Sequence, residues 1–530
     1  MKAEDIYDAI TDLPDGQITE GEQELPRTGR RWIRWAGLAA ALAVVVLSGV
    51  LFLRRPKPVG AGVSPGLDPS AAQGSTSAEL HSGDPEAPTE TGAERVPGSS
   101  DPIPTIPGGA LEGQPYSLAF ASCPRMAPYP VYGTMNGKDY DAARQAWLED
   151  RMALKPEGDY SLGMDACMKR LIPALLEGTP GENRAASPLN VWMALALLAE
   201  TTDGNSRREL LELLNVPDPE TLRTQAGELW RACYCDDGVR SSLLGASLWL
   251  RDDKRYSQST LDRLAEHYYA SSFSGPMGEP EYTKALRDWT DEHTGGLLTE
   301  RVNGMELRPD TVLALITTVY FKTPLQDEFY HTERGSFHSP RGDRDAEFML
   351  EGSTGSCWFG ADFTAAGKAL MEGGSMYFLL PREGVSPEAL LEEEETLRFL
   401  SDAAGRDSVE NRYVILDLSV PKFDVSAQLG LEEPLKALGV EAVFDPALAD
   451  FSPLAETGAS GICVTDARHA ARVMIDEKGV TAAAFTEFAA GAGEPPEERV
   501  ELKLDRPFLF VLTNEDGLPL FVGIVNEPGV

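Results

Sequence analysis

The stretch from Glu477 to Glu494, EKGVTAAAFTEFAAGAGE, constrains the fold more than any other part of this sequence. It starts with a charged pair followed by Gly479, continues through small residues, and contains no proline before Pro495. Surface loops are usually rich in Pro, Asn, Asp and Gly, because these residues set turn geometry. A segment with little bulk and with residues compatible with a strand up to Phe488 favours extended pairing instead. The sequence therefore predicts a spare strand with a glycine hinge at its entrance, and its use depends on the rest of the chain.

The formal net charge of −37 limits the classes of partner. Nucleic acids, heparin-like polyanions and anionic lipid surfaces need a large basic surface. The 530 residues contain 47 Lys and Arg against 84 Asp and Glu, so no such surface is expected. The charge itself is typical of a strongly solvated protein surface. We therefore expect no nucleic acid and no heparin-like polyanion as partner.

The sequence contains no established motif for catalysis or metal binding. The patterns G-x-S-x-G and H-E-x-x-H and a phosphate-binding glycine loop are all missing from it. Cys233 and Cys235 form a C-x-C without a second pair or a nearby His, which is a weak metal signal. We expect no catalytic residue, no metal and no cofactor. The cysteines are expected to be buried small side chains, and a disulfide from Cys123 to the rest of the fold is the open alternative.

An apolar run near the N-terminus, Trp35–Leu53, has nineteen residues without a charge, which just spans a bilayer as a helix. A cleaved signal peptide is the alternative. The residues before the run are too many for its n-region, and Arg54 and Arg55 follow directly. We predict a cytoplasmic tail over 1–31 and a single-pass signal anchor over 32–55, with the rest of the chain outside the cytoplasm.

Residues 56–115 are rich in Pro, Gly, Ser and Thr and have almost no aromatic residues. Such a segment cannot bury a core and is predicted to be a disordered linker. At roughly 5–6 Å × √n, it would hold the next domain about 40 Å from the membrane. Aromatic residues return at Tyr116. We predict an N-terminal arm over 116–160, with a helix at Tyr140–Met152, that packs on the main domain.

From residue 161 onwards, helical and strand patterns alternate, with helices concentrated early and strands late. This order predicts an α+β domain rather than repeated βαβ units. Ser187 and Pro188 form an N-cap and first-turn pair for the second of two early helices. The predicted helices are Leu162–Leu176 and Leu189–Ala199, and the predicted strands are Ser242–Leu250, Thr311–Phe321, Met376–Leu380, Tyr413–Val420 and Pro507–Leu512.

Short motifs follow one another in a fixed order along the same domain. Each motif alone is weak, but together they extend over about two thirds of the chain. They are Asn183–Leu189 (NRAASPL), Thr311–Lys322 (TVLALITTVYFK), Met376–Gly384 (MYFLLPREG), Leu418–Phe423 (LSVPKF), Ala449–Ser452 (ADFS), Asp505–Phe510 (DRPFLF) and Phe521–Asn526 (FVGIVN).

In order and spacing these motifs resemble those of the serpin family of serine protease inhibitors, and a bacterial-type, membrane-anchored member is expected. The resemblance implies a serpin domain over 161–530 with three β-sheets, about eight to nine helices and an exposed reactive-centre loop over 477–500. It implies a monomer that is not an enzyme. A serine protease would cleave the loop, and the loop would enter the large sheet as a strand while the protease stays trapped as the acyl-enzyme.

The loop residues suit such an insertion. The hinge Glu477, Lys478 and Gly479 matches the family, and the small run Ala482–Ala484 does as well. Alternation along a strand places one uncharged set on the covered face of the sheet. Val480 stands where the family usually has Thr or Ser, and its compact β-branched side chain should be tolerated. The uncharged set is Val480, Ala482, Ala484, Thr486 and Phe488, with Ala483 on the other face.

The family count of seventeen residues from Glu477 places the scissile bond at Gly493–Glu494, with Ala490 and Ala492 as alternatives. All these candidate residues before the cut are small, which favours proteases of elastase or subtilisin type. No Arg or Lys lies between Lys478 and Arg499, so trypsin-like targets are not expected.

Five residues fall in the region that lets the large sheet open in this family. Ser187 and His469 keep the family residue, whereas Asn190 replaces a Ser, Thr317 replaces an Asn and Leu325 replaces a Trp. Asn190 and Thr317 could exchange donor and acceptor and keep the buried polar groups satisfied. The alternatives to an inhibitor are a non-inhibitory binding or chaperone serpin, or a serpin that opens slowly and is cleaved as a substrate.

Overall fold

The computed structural model describes residues 116–296, 299–457, 461–480 and 496–529. The predicted tail, membrane anchor and linker over 1–115 lie outside this part of the chain, as does the loop over 481–495. Among the described helices, none has both the length and the apolar character needed to cross a membrane.

Capping signals determine where several helices begin. The Ser187 side chain accepts a hydrogen bond from the Asn190 N–H and starts the second predicted helix. The helix predicted from Leu162 starts at Met164, because Gly163 adopts the left-handed conformation at φ 79°. The helices are α1 Gly137–Leu154, α2 Met164–Leu176, α3 Pro188–Thr201, α4 Gly204–Leu214, α5 Pro219–Cys233, α6 Gln258–His267, α7 Pro280–Glu292, α8 Thr299–Val302, α9 Pro387–Leu390, α10 Glu394–Ser401, α11 Ala403–Asp407 and α12 Glu432–Ala437, and a 3-10 turn covers Ala442–Phe444.

The strands fall mostly in the second half of the domain. They are β1 Ser117–Ala119, β2 Arg184–Ala186, β3 Cys235–Asp236, β4 Ser241–Arg251, β5 Arg255–Tyr256, β6 Ala270–Gly275, β7 Leu313–Pro324, β8 His331–Ser339, β9 Gly342–Phe359, β10 Phe363–Ala369, β11 Ser375–Pro381, β12 Glu410–Pro421, β13 Phe423–Gly430, β14 Ala455–Thr457, β15 Val464–Asp476, β16 Gly479–Val480, β17 Arg499–Lys503, β18 Phe508–Thr513 and β19 Pro519–Val525.

Two large sheets organise the described part of the chain. The first, called sheet A, has the order β1-β6-β4-β7-β16-β15-β13, with β3 paired to β4. The second has the order β17-β12-β9-β10-β11-β18-β19-β2, with β8 on β9. The long strand β9 pairs with β8, β10 and β12, so it links these three strands into one continuous sheet. Side-chain alternation cannot show where one sheet passes into another. A further small sheet consists of β5 and β14.

Helix α3 forms the centre of the core. All its residues from Pro188 to Thr201 are buried, as expected for a helix that is apolar on every side. It packs against β4, β7 and β19, that is, between the two large sheets. The other face of sheet A is covered by α7, where Tyr282 and Trp289 pack with Trp249 and Phe273.

The predicted arm region lies along the edge of sheet A. Strand β1 pairs antiparallel with β6 and becomes the outermost strand. The chain then crosses towards β3, where the Tyr129 N–H donates to the Asp237 carbonyl. Helix α1 follows and begins at Gly137, a few residues before the predicted Tyr140. Cys123 is exposed in this region, and none of the six cysteines, all of which lie within the described residues, forms a disulfide.

Candidate functional site

Strand β16 places the predicted hinge inside sheet A. Val480 pairs with Thr323 of β7 on one side and with Ile475 of β15 on the other, and Gly479 continues both pairings. The Val480 side chain is buried, with 2% of its surface exposed. The chain therefore enters sheet A at the C-terminal end of β7, before the loop begins.

The other predicted loop residues lie outside the described part of the chain. They are the hinge residues Ala482, Ala483, Ala484 and Thr486, and the scissile candidates Ala490, Ala492, Gly493 and Glu494.

Gly479 is required by the space at this point. It adopts φ 153°, and a Cβ atom there would lie 2.8 Å from the Leu325 N, the Pro324 Cα and the Thr323 O. All three are backbone atoms, so they cannot move aside as the end of a flexible side chain could. Only glycine lets the chain turn into the sheet here.

An ion pair and two backbone hydrogen bonds hold the entrance to the hinge. Lys422 Nζ lies 2.8 Å from the Glu477 carboxylate and 2.8 Å from that of Glu347. The hydrogen bond from Lys422 lowers the pKa of Glu477. The Phe329 N–H donates to the Glu477 carbonyl, and the Leu325 N–H donates to the Lys478 carbonyl, both at 2.9 Å. The hinge is thus fixed on the side of β7 as well as by β15.

Below the hinge, sheet A divides. Strands β7 and β15 pair directly, in parallel, up to Thr318 and Ala470. On the edges that face each other, the next pairing is with β16, at Thr323 and Ile475. The outer edges of β7 and β15 stay paired with β4 and β13. Between these points, in this described part of the sheet, no pairing joins Val319–Lys322 to Ala471–Met474. We call these two facing segments the slot, since their edges could accept another strand.

The lower end of the slot rests on a buried polar network around His469. The Ser187 N–H donates to His469 Nε2 at 2.9 Å, and His469 Nδ1 lies 3.1 Å from Thr317 Oγ1. Because Nε2 accepts, the neutral ring carries its proton on Nδ1. Burial lowers the pKa of His469 to about 4. A protonated ring would present an N–H to the Ser187 N–H and break this contact.

We expect the native state to lose stability as the pH falls from 6.5 to 4.5. The unfolded chain takes up the proton near pH 6.5, whereas loss of solvent contact lowers the pKa of buried His469 and of partly buried His293 to about 4 in the folded protein. The loss is about 2 kcal/mol per histidine over this window. Urea unfolding at several pH values measures it. His469→Gln should flatten the curve and His331→Gln, at an exposed position, should leave it unchanged; equal slopes for both variants would contradict the assignment.

Asn190 reaches the sheet at the point where it divides. Its Nδ2 donates to the carbonyl of Thr318 at 2.9 Å, while its Oδ1 is buried without a hydrogen-bond partner. Thr317 instead contacts His469, so the direct exchange between Asn190 and Thr317 expected from the sequence is not the arrangement found. Thr318 is the last residue of β7 that pairs with β15, so Asn190 contacts β7 where the slot begins. An inserted strand would have to displace this bond.

Leu325, which replaces the family Trp, is buried and forms an isolated bridge with Leu370. Beside it, Lys368 and Glu351 form an ion pair in which both side chains are at least nine-tenths buried. Lys368 Nζ also lies 5.1 Å from the centre of the Phe329 ring. Phe329, whose backbone N–H binds the hinge entrance, therefore packs its ring against a buried charge.

Sequence reasoning missed three features of this site. Lys422 lies within the matched motif Leu418–Phe423, but its partner Glu477 is distant in sequence. The contact of Asn190 with the Thr318 carbonyl involves the backbone of Thr318, so its side chain gives no sequence signal. The Lys368–Glu351 pair joins two strands that were not predicted to be neighbours. Of these residues, only Lys422 gives a signal in the sequence, because it follows Pro421 at the end of a predicted strand.

The described part of the chain is an α+β fold of two large sheets and one small sheet, with the hinge strand β16 between β7 and β15. The family described as Serpin (serine protease inhibitor) matches residues 164–528. The chain belongs to the serpin family. The general activity of this family is protease inhibition rather than catalysis, although some members do not inhibit.

Relatives and solved structures agree with this assignment. The chain is 27% identical over 357 residues to a serpin-like protein of Methanosarcina acetivorans, covering 66% of this chain and 82% of that protein. It is 28% identical over 359 residues to alpha-1-antitrypsin 1-2 of Mus musculus, covering 64% and 82%. The crystal structure of the thermophilic serpin tengpin in the native state superposes with a TM-score of 0.62 at 21% identity, covering 70% of this chain and 96% of tengpin. This last likeness shows the fold.

Proposed function

We propose that this protein is a suicide-substrate inhibitor of serine proteases. One observation carries the proposal: Gly479 and Val480 already occupy a strand position at the head of an unpaired slot between β7 and β15. After cleavage the loop continues from Val480 straight down this slot, with main-chain pairing available on both sides. Fourteen residues at about 3.3 Å each would carry an attached protease roughly 46 Å towards the opposite end of the domain.

The target class follows from the residues before the cut. We propose cleavage at Gly493–Glu494, with Ala490 or Ala492 as the alternative residue before the scissile bond. Small side chains fit shallow specificity pockets of elastase or subtilisin type. A trypsin-like pocket holds a buried carboxylate, and none of these small residues could supply a positive charge to pair with it.

One observation favours cleavage without trapping. Asn190 bonds to the Thr318 carbonyl at the base of the slot and must release it before a strand can pass. If this release is slow, the acyl-enzyme hydrolyses first and the protein behaves as a substrate. This is the second candidate function, beside a non-inhibitory binding role.

We also propose that the inhibitor acts outside the cell, held at a bacterial cell membrane. The support is the uncharged run Trp35–Leu53 with its basic flanks, followed by the Pro/Gly/Ser-rich residues 56–115. Protease inhibition at the cell surface would then be local, since the linker limits the volume the domain can reach.

The proposal is tested by mixing the full-length protein with an elastase-like or subtilisin-like protease. We expect a complex of the summed mass on a denaturing gel, and a released C-terminal peptide that begins at Glu494. Trypsin should form no such complex. Complete cleavage at this bond without a complex would support the substrate alternative, and no cleavage in the loop would contradict both.

A further inference from the structure

A cavity lies between the C-terminal half of helix α1 and the rest of the domain. Its volume is about 350 Å³, within the range of about 300–1,000 Å³ that is usual for small-molecule sites. Helix α1 forms one wall, and the end of α5 with β3 forms another. The turns between β10 and β11 and between β18 and β19 complete the lining. Because α1 precedes the matched family region, the arm supplies a wall that this region does not contain.

Helical spacing explains how α1 presents this wall. Residues three or four positions apart lie on one face of a helix. The residues that α1 and its C-cap place at such spacings along the cavity are Leu148, Arg151, Met152 and Lys155. One helix face thus brings apolar and basic side chains to the same cavity.

Polar contacts hold this wall in place. Trp147 is buried and donates its Nε1–H to Asp237 at 3.1 Å. One turn later, Arg151 Nη2 lies 2.7 Å from the Glu515 carboxylate and its Nη1 lies 3.3 Å from that of Glu372. Helix α1 is therefore anchored without filling the space beneath it.

Much of the lining is apolar. Phe321, Met371 and Leu520 are buried. Met126 is partly exposed, and Met152 has 65% of its surface exposed, so the cavity opens to solvent beside Met152. Methionine side chains are flexible and adapt to apolar groups of different shape. An apolar ligand would leave water by entering here.

The carboxylates that line the cavity already have partners. Glu372 and Glu515 pair with Arg151. Asp516 accepts a hydrogen bond from the Tyr160 hydroxyl at 2.5 Å. These acidic groups therefore do not neutralise the remaining cations of the lining.

Two of those cations have no partner. Arg240 pairs with Asp237, but Lys155 and Arg231 have neither a side-chain hydrogen bond nor an ion pair among the described residues. Lys155 is exposed at the end of α1, and Arg231 is half-buried in the last turn of α5. An anionic group at the cavity would gain from both charges.

We propose that this cavity binds a small amphipathic anion, with an apolar body and a single carboxylate or similar head group. The body lies against Phe321 and the methionines, and the head group lies at Lys155 and Arg231. The inference is independent of the proposed function, since it needs neither cleavage of the loop nor insertion of a strand.

Fluorescence titration of the full-length protein with 8-anilino-1-naphthalenesulfonate tests the site, because this probe joins an apolar ring system to one anionic group. We expect saturable binding that dodecanoate displaces and that dodecanol, its uncharged counterpart, displaces much less. The absence of saturable binding would overturn the proposal. Equal displacement by dodecanol would overturn the anionic class of ligand.

Three variants locate the binding. Arg231→Gln should weaken it by on the order of fivefold, the scale of a partly exposed charge pair. Met371→Trp should abolish it by filling the cavity. Because Met371 is buried and a larger side chain there can disturb the fold, Met152→Glu tests the same cavity from an exposed position. It places a like charge beside the head group and should weaken binding by at least about threefold.

The two ends of α1 provide matched controls. Met135 is 38% exposed just before α1, and Lys138 is exposed in its first turn, so both lie away from the cavity. Met135→Glu and Lys138→Gln should leave the affinity within about twofold of the original. Equal weakening by Met135→Glu and Met152→Glu would overturn the site, since the charge of the arm alone would explain the effect. Binding that neither Arg231→Gln nor Met152→Glu weakens would place the probe elsewhere and also overturn it.

Discussion

Val480→Arg should be cleaved in the loop but should no longer trap a protease. Val480 lies between β7 and β15, paired on both sides, and its side chain is buried in the core. An arginine there would have to bury an unpaired charge, at a cost of several kcal/mol, or leave the sheet. Either outcome prevents the hinge from leading the loop into the slot. The covalent complex is expected to fall by at least about tenfold, with cleaved protein in its place.

Val480→Thr provides the control for this substitution. Threonine is compact and β-branched, so it keeps the strand geometry and should keep trapping within about twofold of the original. Both variants are mixed with a subtilisin-like protease, and complex and cleaved product are compared on a denaturing gel. Trapping by Val480→Arg at the level of Val480→Thr would show that the hinge does not need to enter the sheet.

A large loss of stability is expected for Lys368→Met. Lys368 and Glu351 form a buried ion pair, and removal of the lysine leaves the Glu351 carboxylate without its partner in the interior. Breaking such a pair by one partner costs about 3–5 kcal/mol in the free energy of unfolding. The cation also contacts the ring of Phe329, and the backbone N–H of Phe329 donates to the Glu477 carbonyl at the hinge. The hinge should therefore loosen as well.

Urea unfolding of two further variants separates the cause. The double variant Lys368→Met with Glu351→Leu removes both charges and should recover most of the stability. Lys422→Met breaks two partly exposed pairs, with Glu347 and with Glu477, and should cost less than about 2 kcal/mol. If Lys368→Met is no more harmful than Lys422→Met, the buried pair contributes no more than a surface one.

Much of the fold was visible in local sequence signals. Ser187 and Pro188 predicted the start of α3, and the apolar run Thr311–Phe321 predicted β7. Both predictions use short-range properties, a helix cap and a strand pattern. The small, proline-free composition predicted a spare strand with a glycine at its entrance, and the resemblance to the family supplied its role as a hinge. Strand β9 was not predicted. Its side-chain alternation continues without a break while its partner strands change from β8 to β12.

The details of the site depended on contacts that no local pattern encodes. Asn190 donates to the Thr318 carbonyl at the point where β7 and β15 separate. That point is set by pairing between strands that are far apart in the sequence. The ion pairs of Arg151 with Glu372 and Glu515 depend on where α1 packs, and each residue alone has an ordinary sequence environment. Long-range register and packing, rather than propensity, set these positions.

Backbone hydrogen exchange before and after loop cleavage tests the central claim, that the loop enters sheet A, most directly. The slot amides within Val319–Lys322 and Ala471–Met474 that lack a partner strand on the slot side should exchange in the intact protein. After cleavage by a subtilisin-like protease they should become protected, together with the loop residues that follow Val480. Unchanged exchange at both edges of the slot, with a cleaved loop that still exchanges freely, would contradict insertion and with it the proposed mechanism of inhibition.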